Sequence, residues 1–193
     1  MHHIPVAEFW RIFYNILNNT EMGFYMNKID ITQFSDRHTV RKLTPDNIEI
    51  LYTLCKENPQ FYEYSGRELS RGLIKQDLEV TPPGIPSKQK YFVGFFDDDK
   101  LVAVMDLIDG YPTQDHGYIG FFMVKHELQQ AGVGTDIISK TLEYLKQNGF
   151  KYCRLGIDKS NPQSNHFWKK NGFTTIKEVS TEDGIILVAE KQL

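Results

Sequence analysis

The sequence predicts one mixed α/β domain: a central, mostly antiparallel sheet of about seven strands that includes one parallel pair, with helices on both faces. Three observations predict it. Apolar segments separated by short turns run from Tyr91 to Val124, a strand, helix, strand crossover follows, and two more strands close the chain after a short helix. A crossover of that kind forces its two strands to run parallel, whereas hairpins pair antiparallel. The 193 residues leave little room for a second complete core.

From Val6 to Leu17, Val6, Phe9, Trp10, Phe13, Ile16 and Leu17 recur at steps of three and four, which places them on one helical face. Residues 1–29 are therefore expected to form an N-terminal helical extension, with 30–193 as the domain proper. That helix carries only Arg11 as a basic residue, which argues against a membrane-surface role and for packing on its own domain or a second copy.

Thr39 to Leu43 alternates like a short strand, and Thr44-Pro45-Asp46 supplies a capping hydroxyl and a first-turn proline ahead of Ile48, Leu51 and Leu54. Thr81-Pro82-Pro83-Gly84-Ile85-Pro86 is a loop, because its prolines lack the donors that helix and sheet need. Tyr91 to Phe96 and Leu101 to Ile108 form a hairpin around Asp97-Asp98-Asp99, and Tyr118 to Val124 adds a third strand after a loop from Gly110 to Gly117. A helix through Ile137, Ile138, Leu142 and Leu145 ends at Asn148-Gly149, and strand Tyr152 to Ile157 completes the crossover. A helix from Pro162 to Lys170, then strands Thr174 to Val179 and Ile185 to Glu190 around Asp183-Gly184, finish the pattern.

Composition narrows the function. Hydrophobic residues at 40% and charged residues at 24% are those of a globular chain. A net charge of −3 advertises neither nucleic acid nor an anionic membrane as the main partner. Cys55 and Cys153 stand far apart and form no C-x-x-C pair, and the two terminal histidines do not make a metal site, so no metal is expected. Cysteine usage, the absence of a long apolar run and the lack of a leader pattern give a cytoplasmic expectation.

One motif carries chemistry. Between the third meander strand and the crossover helix lies Gln129-Gln130-Ala131-Gly132-Val133-Gly134-Thr135, with glycines where the helix begins. Bare backbone permits close approach, and the free N–H groups and partial positive charge of a helix start suit a phosphate or pyrophosphate. The segment is not a dinucleotide fingerprint, since Ile137 holds the third glycine position, and no Gly-Lys-Ser/Thr of a Walker A loop follows.

This Q-x-x-G-x-G run, after an apolar strand ending in Met123-Val124, resembles the acetyl-CoA loop of the GCN5-related N-acetyltransferases (GNAT). Leu155-Gly156-Ile157, Asn161, Ser164 to Lys170 and Gly172-Phe173 follow in the family's order. The resemblance spans Thr39 to Gln192, with helices expected across Phe61 to Lys88, and leaves residues 1–25 uncovered. It implies a GNAT-like fold with a splayed parallel pair and acetyl-CoA as cosubstrate. It also implies that amides of Gln130, Ala131, Gly132, Val133, Gly134 and Thr135 bind the pyrophosphate, while Met123 and Val124 line the pantetheine. Gln129 fills the family's Arg-or-Gln position and Asn161 its coenzyme-contacting asparagine. The backbone N–H of Val124 would serve the oxyanion.

The family commonly has a tyrosine where Trp168 stands. Indole donates a hydrogen bond but does not titrate usefully, so Trp168 is expected to wall the coenzyme site, and any proton for the thiolate comes from water, Tyr152 or another nearby group. Asp106 interrupts the apolar run Leu101 to Ile108, which makes it the candidate base or amine-binding group, with an edge or solvent-facing position as the alternative. Glu63, Asp109, Tyr111, His116 and Tyr118 are weaker acceptor-side candidates whose alternative is the plain surface. His126 reads as loop surface and Cys153 as a buried small hydrophobe. The expected function is acetyl transfer to a primary amine, of a small molecule or a peptide, in a monomer or homodimer. The alternative is a coenzyme A-binding module without turnover.

Overall fold

Alternating side chains build the sheet in this computed structural model, which describes residues 29–182 and 184–193. The expected extension over residues 1–29 thus lies, save for Ile29, outside the described residues. The strands are β1 (Thr39–Lys42), β2 (Lys90–Asp97), β3 (Lys100–Asp109), β4 (His116–Val124), β5 (Tyr152–Asp158), β6 (Thr174–Thr181) and β7 (Gly184–Gln192). The helices are α1 (Ile48–Lys56), α2 (Pro59–Ser65), α3 (Arg71–Glu79), α4 (Val133–Gln147) and α5 (Pro162–Lys170). The sheet order is β1-β2-β3-β4-β5-β7-β6, and among the described strands only β4 and β5 pair in parallel.

Because side chains on a strand alternate between faces, each face receives its own core. Val93, Phe95, Ala103, Met105, Leu107 and Val124 meet Ile137, Ile138, Leu142 and Leu145 of α4 and Trp168 of α5. Phe92, Phe96, Val104 and Met123 meet Leu51, Leu54 and Cys55 of α1, Tyr62 of α2, and Ile74 and Leu78 of α3 on the other face. The sheet is therefore covered on both sides. No helix among the described residues is long and apolar enough to cross a membrane.

Thr44 works with Asn47 at the entry to α1: the Thr44 N–H donates to Asn47 Oδ1 at 2.9 Å, and a single 3₁₀ turn at Pro45–Asn47 precedes the helix. The expected loop from Gly110 to Gly117 is shorter than the sequence suggests. Pairing of Asp109 with Gly117 and of His116 with Tyr152 brings both residues into β4.

Two local features of β4 position everything that follows. Its register against β3 shifts at Gly120, since Asp106 faces Phe121 while Leu107 faces Ile119. A bulge of this kind bends the strand that carries the extra residue. Pairing of β4 with β5 then stops at Ile119 and Leu155, although β4 runs on to Val124 and β5 to Asp158. Past the bulge the two parallel strands part.

Candidate active site

The gap between β4 and β5 opens into a cleft of about 1160 Å³ that runs from α2 and α3, across the bulge, to the starts of α4 and α5. Its floor is unpaired strand backbone. The Lys125 N–H donates to the Val102 carbonyl at 2.8 Å, so in an antiparallel pair Met123 and Phe121 also turn their amides to β3. Phe122 and Val124 turn theirs the other way, into the gap. The sequence pointed to Val124 alone, although strand alternation makes Phe122 equivalent.

Beyond Val124 the chain makes a 3₁₀ turn at His126–Leu128 and passes through two left-handed residues, Gln130 (φ 64°) and Gly132 (φ 88°), before α4 begins at Val133. The first bond of that helix runs from the Asp136 N–H to the Gly132 carbonyl. This leaves the Val133, Gly134 and Thr135 amides as the free donors of a helix start. Gly134 is glycine for space: a Cβ there would lie 3.1 Å from a Phe167 ring carbon and 3.2 Å from a Val124 methyl. Strand end, loop and α5 thus form one narrow cradle lined by open strand backbone and the free donors of a helix start.

Most of the expected coenzyme residues meet in this cleft: Met123, Val124, Gln129, Gln130, Gly132, Gly134, Thr135, Asn161 and Trp168 all line it. Ala131 and Val133 do not. Ala131 points to solvent and Val133 packs into the core below α4, so either can contribute only its backbone. Trp168 is buried in a ring cluster with Phe122, Phe167 and Phe173 at centroid separations of 5.0–6.0 Å, a wall with no titrating group. Asn161 caps α5, accepting from the Ser164 N–H at 3.0 Å.

Gln129 is more than an uncharged amide offered to a ligand. Its Nε2 donates to the Val124 carbonyl at 3.0 Å and to Asn58 Oδ1, while its Oε1 accepts from Gln163 Nε2 at 2.9 Å. One side chain therefore ties the end of β4 to the residue before α2 and to α5. Sequence spacing cannot show this role, because Asn58 and Gln163 are remote along the chain.

At the other end of the cleft the lining turns from backbone to charge. Asp106 is 4% exposed, on a central strand and paired with Lys90, itself 5% exposed, at 2.7 Å; its expected alternative, an edge or solvent-facing position, is overturned. The register brings them together, since Phe92 faces Asp106 and Lys90 lies two residues along the same face. Burial pushes the Asp106 carboxyl up to about 6 even though Lys90 opposes the shift. Its Oδ1 is buried with no hydrogen-bond partner. Beside this pair Arg67 bonds Asp77, whose carboxyl burial also raises. None of Arg67, Asp77 or Lys90 announces itself in the sequence, where each is one charge among many.

The weaker candidates fall elsewhere. Asp109, Tyr111, His116 and Tyr118 are not the surface residues of their alternative reading, nor do they line the cleft. Tyr111 and Tyr118 pack edge to face on each other in a buried cluster with Ile85 and Ile108, while His116 stacks on Tyr152 at the start of the parallel pair. Tyr152 is thereby held away from the cleft as well. Glu63 is exposed on α2. His126 is exposed as expected, but at the cleft mouth. Cys153 is fully buried, which pushes its thiol far up and leaves it inert.

A model of the acetyltransferase (GNAT) family matches residues 51–173. None of the curated proteins matches the chain. Among solved structures, an acetyltransferase from Thermus thermophilus superposes with a TM-score of 0.65 at 18% identity, over 80% of this chain and 96% of that one. An acetyl transferase from Salmonella typhimurium that modifies the N-terminal serine of a 50S ribosomal subunit protein gives 0.66 at 13% identity, over 83% and 97%. The paia N-acetyltransferase of Thermoplasma acidophilum, in complex with coenzyme A, gives 0.59 at 19% identity, over 80% and 98%.

Proposed function

Because the chain belongs to the GNAT family of acetyltransferases, we propose that it transfers the acetyl group of acetyl-CoA to a primary amine by direct attack, with no covalent enzyme intermediate. The observation that carries this reading is the end of β4–β5 pairing at Ile119 and Leu155, in the same cleft as a helix start kept open by Gly134. A thioester arm fits a gap with unpaired strand amides on one side, and its diphosphate fits the free donors at Val133, Gly134 and Thr135.

In this reading the Phe122 and Val124 amides hold the thioester carbonyl and stabilise the oxyanion, an effect worth ~2.7–4 kcal/mol per donor in other enzymes. The amine nitrogen forms a bond to the carbonyl carbon and the carbon–sulfur bond breaks. The proton of the attacking ammonium passes to Asp106 Oδ1, whose raised affinity for a proton and lack of another partner suit it as base. As the tetrahedral intermediate collapses the nitrogen gives its second proton to water, and the departing thiolate takes one back from water, since Trp168 supplies none.

Thermal unfolding with acetyl-CoA, ATP and NAD tests the coenzyme assignment, and thiol release in the presence of amines tests turnover. Ligand at 100 times its dissociation constant adds ~2.7 kcal/mol, so the midpoint rises by roughly 5–11 °C with acetyl-CoA alone. A coenzyme A-binding module without turnover is favoured only by Trp168, and predicts the same shift with no thiol release.

A further inference from the structure

Four charges converge on the acceptor end of the cleft, and their bonding is lopsided. Lys90 and Asp106 are buried and paired at 2.7 Å, yet the second oxygen of Asp106 has no partner. A buried, ionised oxygen left unpaired is expensive, and such a cost persists where a ligand satisfies it. The group it lacks is a donor with positive charge.

A simple alkylammonium fits badly. It would sit against the Lys90–Asp106 pair in a cleft that Arg67 and Asp77 also line, placing three cations against two carboxylates. Arg67 shows the complementary excess. It spends one donor on Asp77, its side chain is 23% exposed, and it lines the same cleft. A guanidinium has five N–H donors in a fork that matches a carboxylate, so Arg67 has donors to spare for an anion. Gly66, at φ 63°, ends α2 and turns the chain so that Arg67 follows directly. Asp77 interacts electrostatically with both Lys90 and Asp106, which puts the two pairs in one cluster. The remaining wall here is aromatic, Phe61 against Phe121 at 5.3 Å.

Resting on the acetyltransferase reading, we infer that the acceptor is a small zwitterionic amine of α-amino-acid type, its ammonium held by Asp106 Oδ1 and its carboxylate by Arg67. Such a ligand adds one charge of each sign, so the site stays balanced and each free valence is met. A lysine side chain within a protein brings the cation without the anion and leaves Arg67 unanswered.

The test measures kcat/KM by thiol release for matched sets built on glycine, leucine, phenylalanine and glutamate. Each set comprises the free amino acid, its α-carboxamide and the amine lacking the carboxyl group; a lysine-containing peptide blocked at both ends completes the panel. The free amino acid is expected to lead its set by roughly tenfold or more, as a site built for one polar group rejects analogues without it. Arg67→Gln should bring that ratio close to one, whereas Arg67→Lys should restore part of it. General damage to the fold lowers all members of a set together and does not move the ratio. Should Arg67→Gln fail to fold, the wild-type panel and Arg67→Lys decide.

Equal or better use of the carboxamide, the simple amine or the blocked peptide overturns the inference, as does a ratio that survives Arg67→Gln. A midpoint shift with acetyl-CoA but no turnover of any amino acid removes this acceptor class and leaves the coenzyme assignment standing. No shift with acetyl-CoA removes both.

Discussion

The two ends of the cleft are made of different material. The end proposed to hold the coenzyme is backbone: parted strand amides at Phe122 and Val124, a left-handed turn at Gln130 and Gly132, and the open start of α4. The end proposed to take the acceptor is side chain: two ion pairs, Lys90–Asp106 and Arg67–Asp77, drawn from two strands, a loop and a helix. The difference teaches why family membership and substrate separate so cleanly. A backbone site needs glycine where a side chain would intrude and little else, so it recurs with few fixed residues. A charged side-chain site can be rewritten one residue at a time while the sheet stays as it is.

The largest effect should come from closing the backbone end. Gly134→Leu drives carbons into the space now bordered by Phe167 and Val124, and is expected to abolish both the acetyl-CoA midpoint shift and turnover while the far-ultraviolet circular dichroism is retained. A normal shift in that variant would break the comparison, because the coenzyme would then bind without the backbone end. Next comes Asp106→Asn, expected to lower kcat/KM about a hundredfold, within the usual range for a lost general base. Acetyl-CoA binding should survive, since Asp106 belongs to the other end.

The Lys90–Asp106 pair makes a separate prediction on stability. Lys90→Met strands a buried carboxylate and should cost ~3–5 kcal/mol in denaturant unfolding, whereas Lys90→Met with Asp106→Leu should recover most of the loss. Equal losses in the two variants would show that the pair itself, not the stranded charge, sets the cost.

pH sharpens the contrast further. Asp106 titrates near 6 in the folded chain and near 3.8 when unfolded, so the native state holds its proton longer. Its contribution to stability is therefore full below about pH 3.8 and is lost as pH rises through about 6. Asp109 behaves the same way, also shifted to about 6 by burial, but lies outside the cleft. Activity is expected to run opposite to stability, because Asp106 must be ionised to serve as the proposed base: kcat/KM should fall below about pH 6. Asp106→Asn should remove that acidic limb and Asp109→Asn should leave it. The smallest effect is expected from Trp168→Tyr, a few-fold rise in kcat if thiolate protonation limits the rate.

The same contrast governs what was legible in the sequence. The glycine loop is local, so Gln129 to Thr135 could be read directly, and the crossover around it fixed which strands run parallel. α5 could be read to the residue because Pro162 and Asn171-Gly172 mark its ends. The bulge at Gly120 was not readable, since a one-residue register shift leaves no local signal; Phe122 was readable from its two-residue spacing to Val124 and was passed over. Asp106 drew notice as an acid in an apolar run, but Lys90 is sixteen residues away and meets it only through the β2–β3 register. Gln129 was assigned to the coenzyme, and its bonds to Asn58 and Gln163 required the three elements to be assembled first. His116 was read as part of the loop because β4 starts two residues earlier than its apolar run.

The most direct measurement is mass spectrometry of amines incubated with acetyl-CoA and the protein, with free thiol counted in parallel. An N-acetylated product formed in equal amount to the released thiol, and lost in both Gly134→Leu and Asp106→Asn, is the expected result. Tight binding of acetyl-CoA with no N-acetylated product from any amine would contradict it and leave a module that holds the coenzyme without using it.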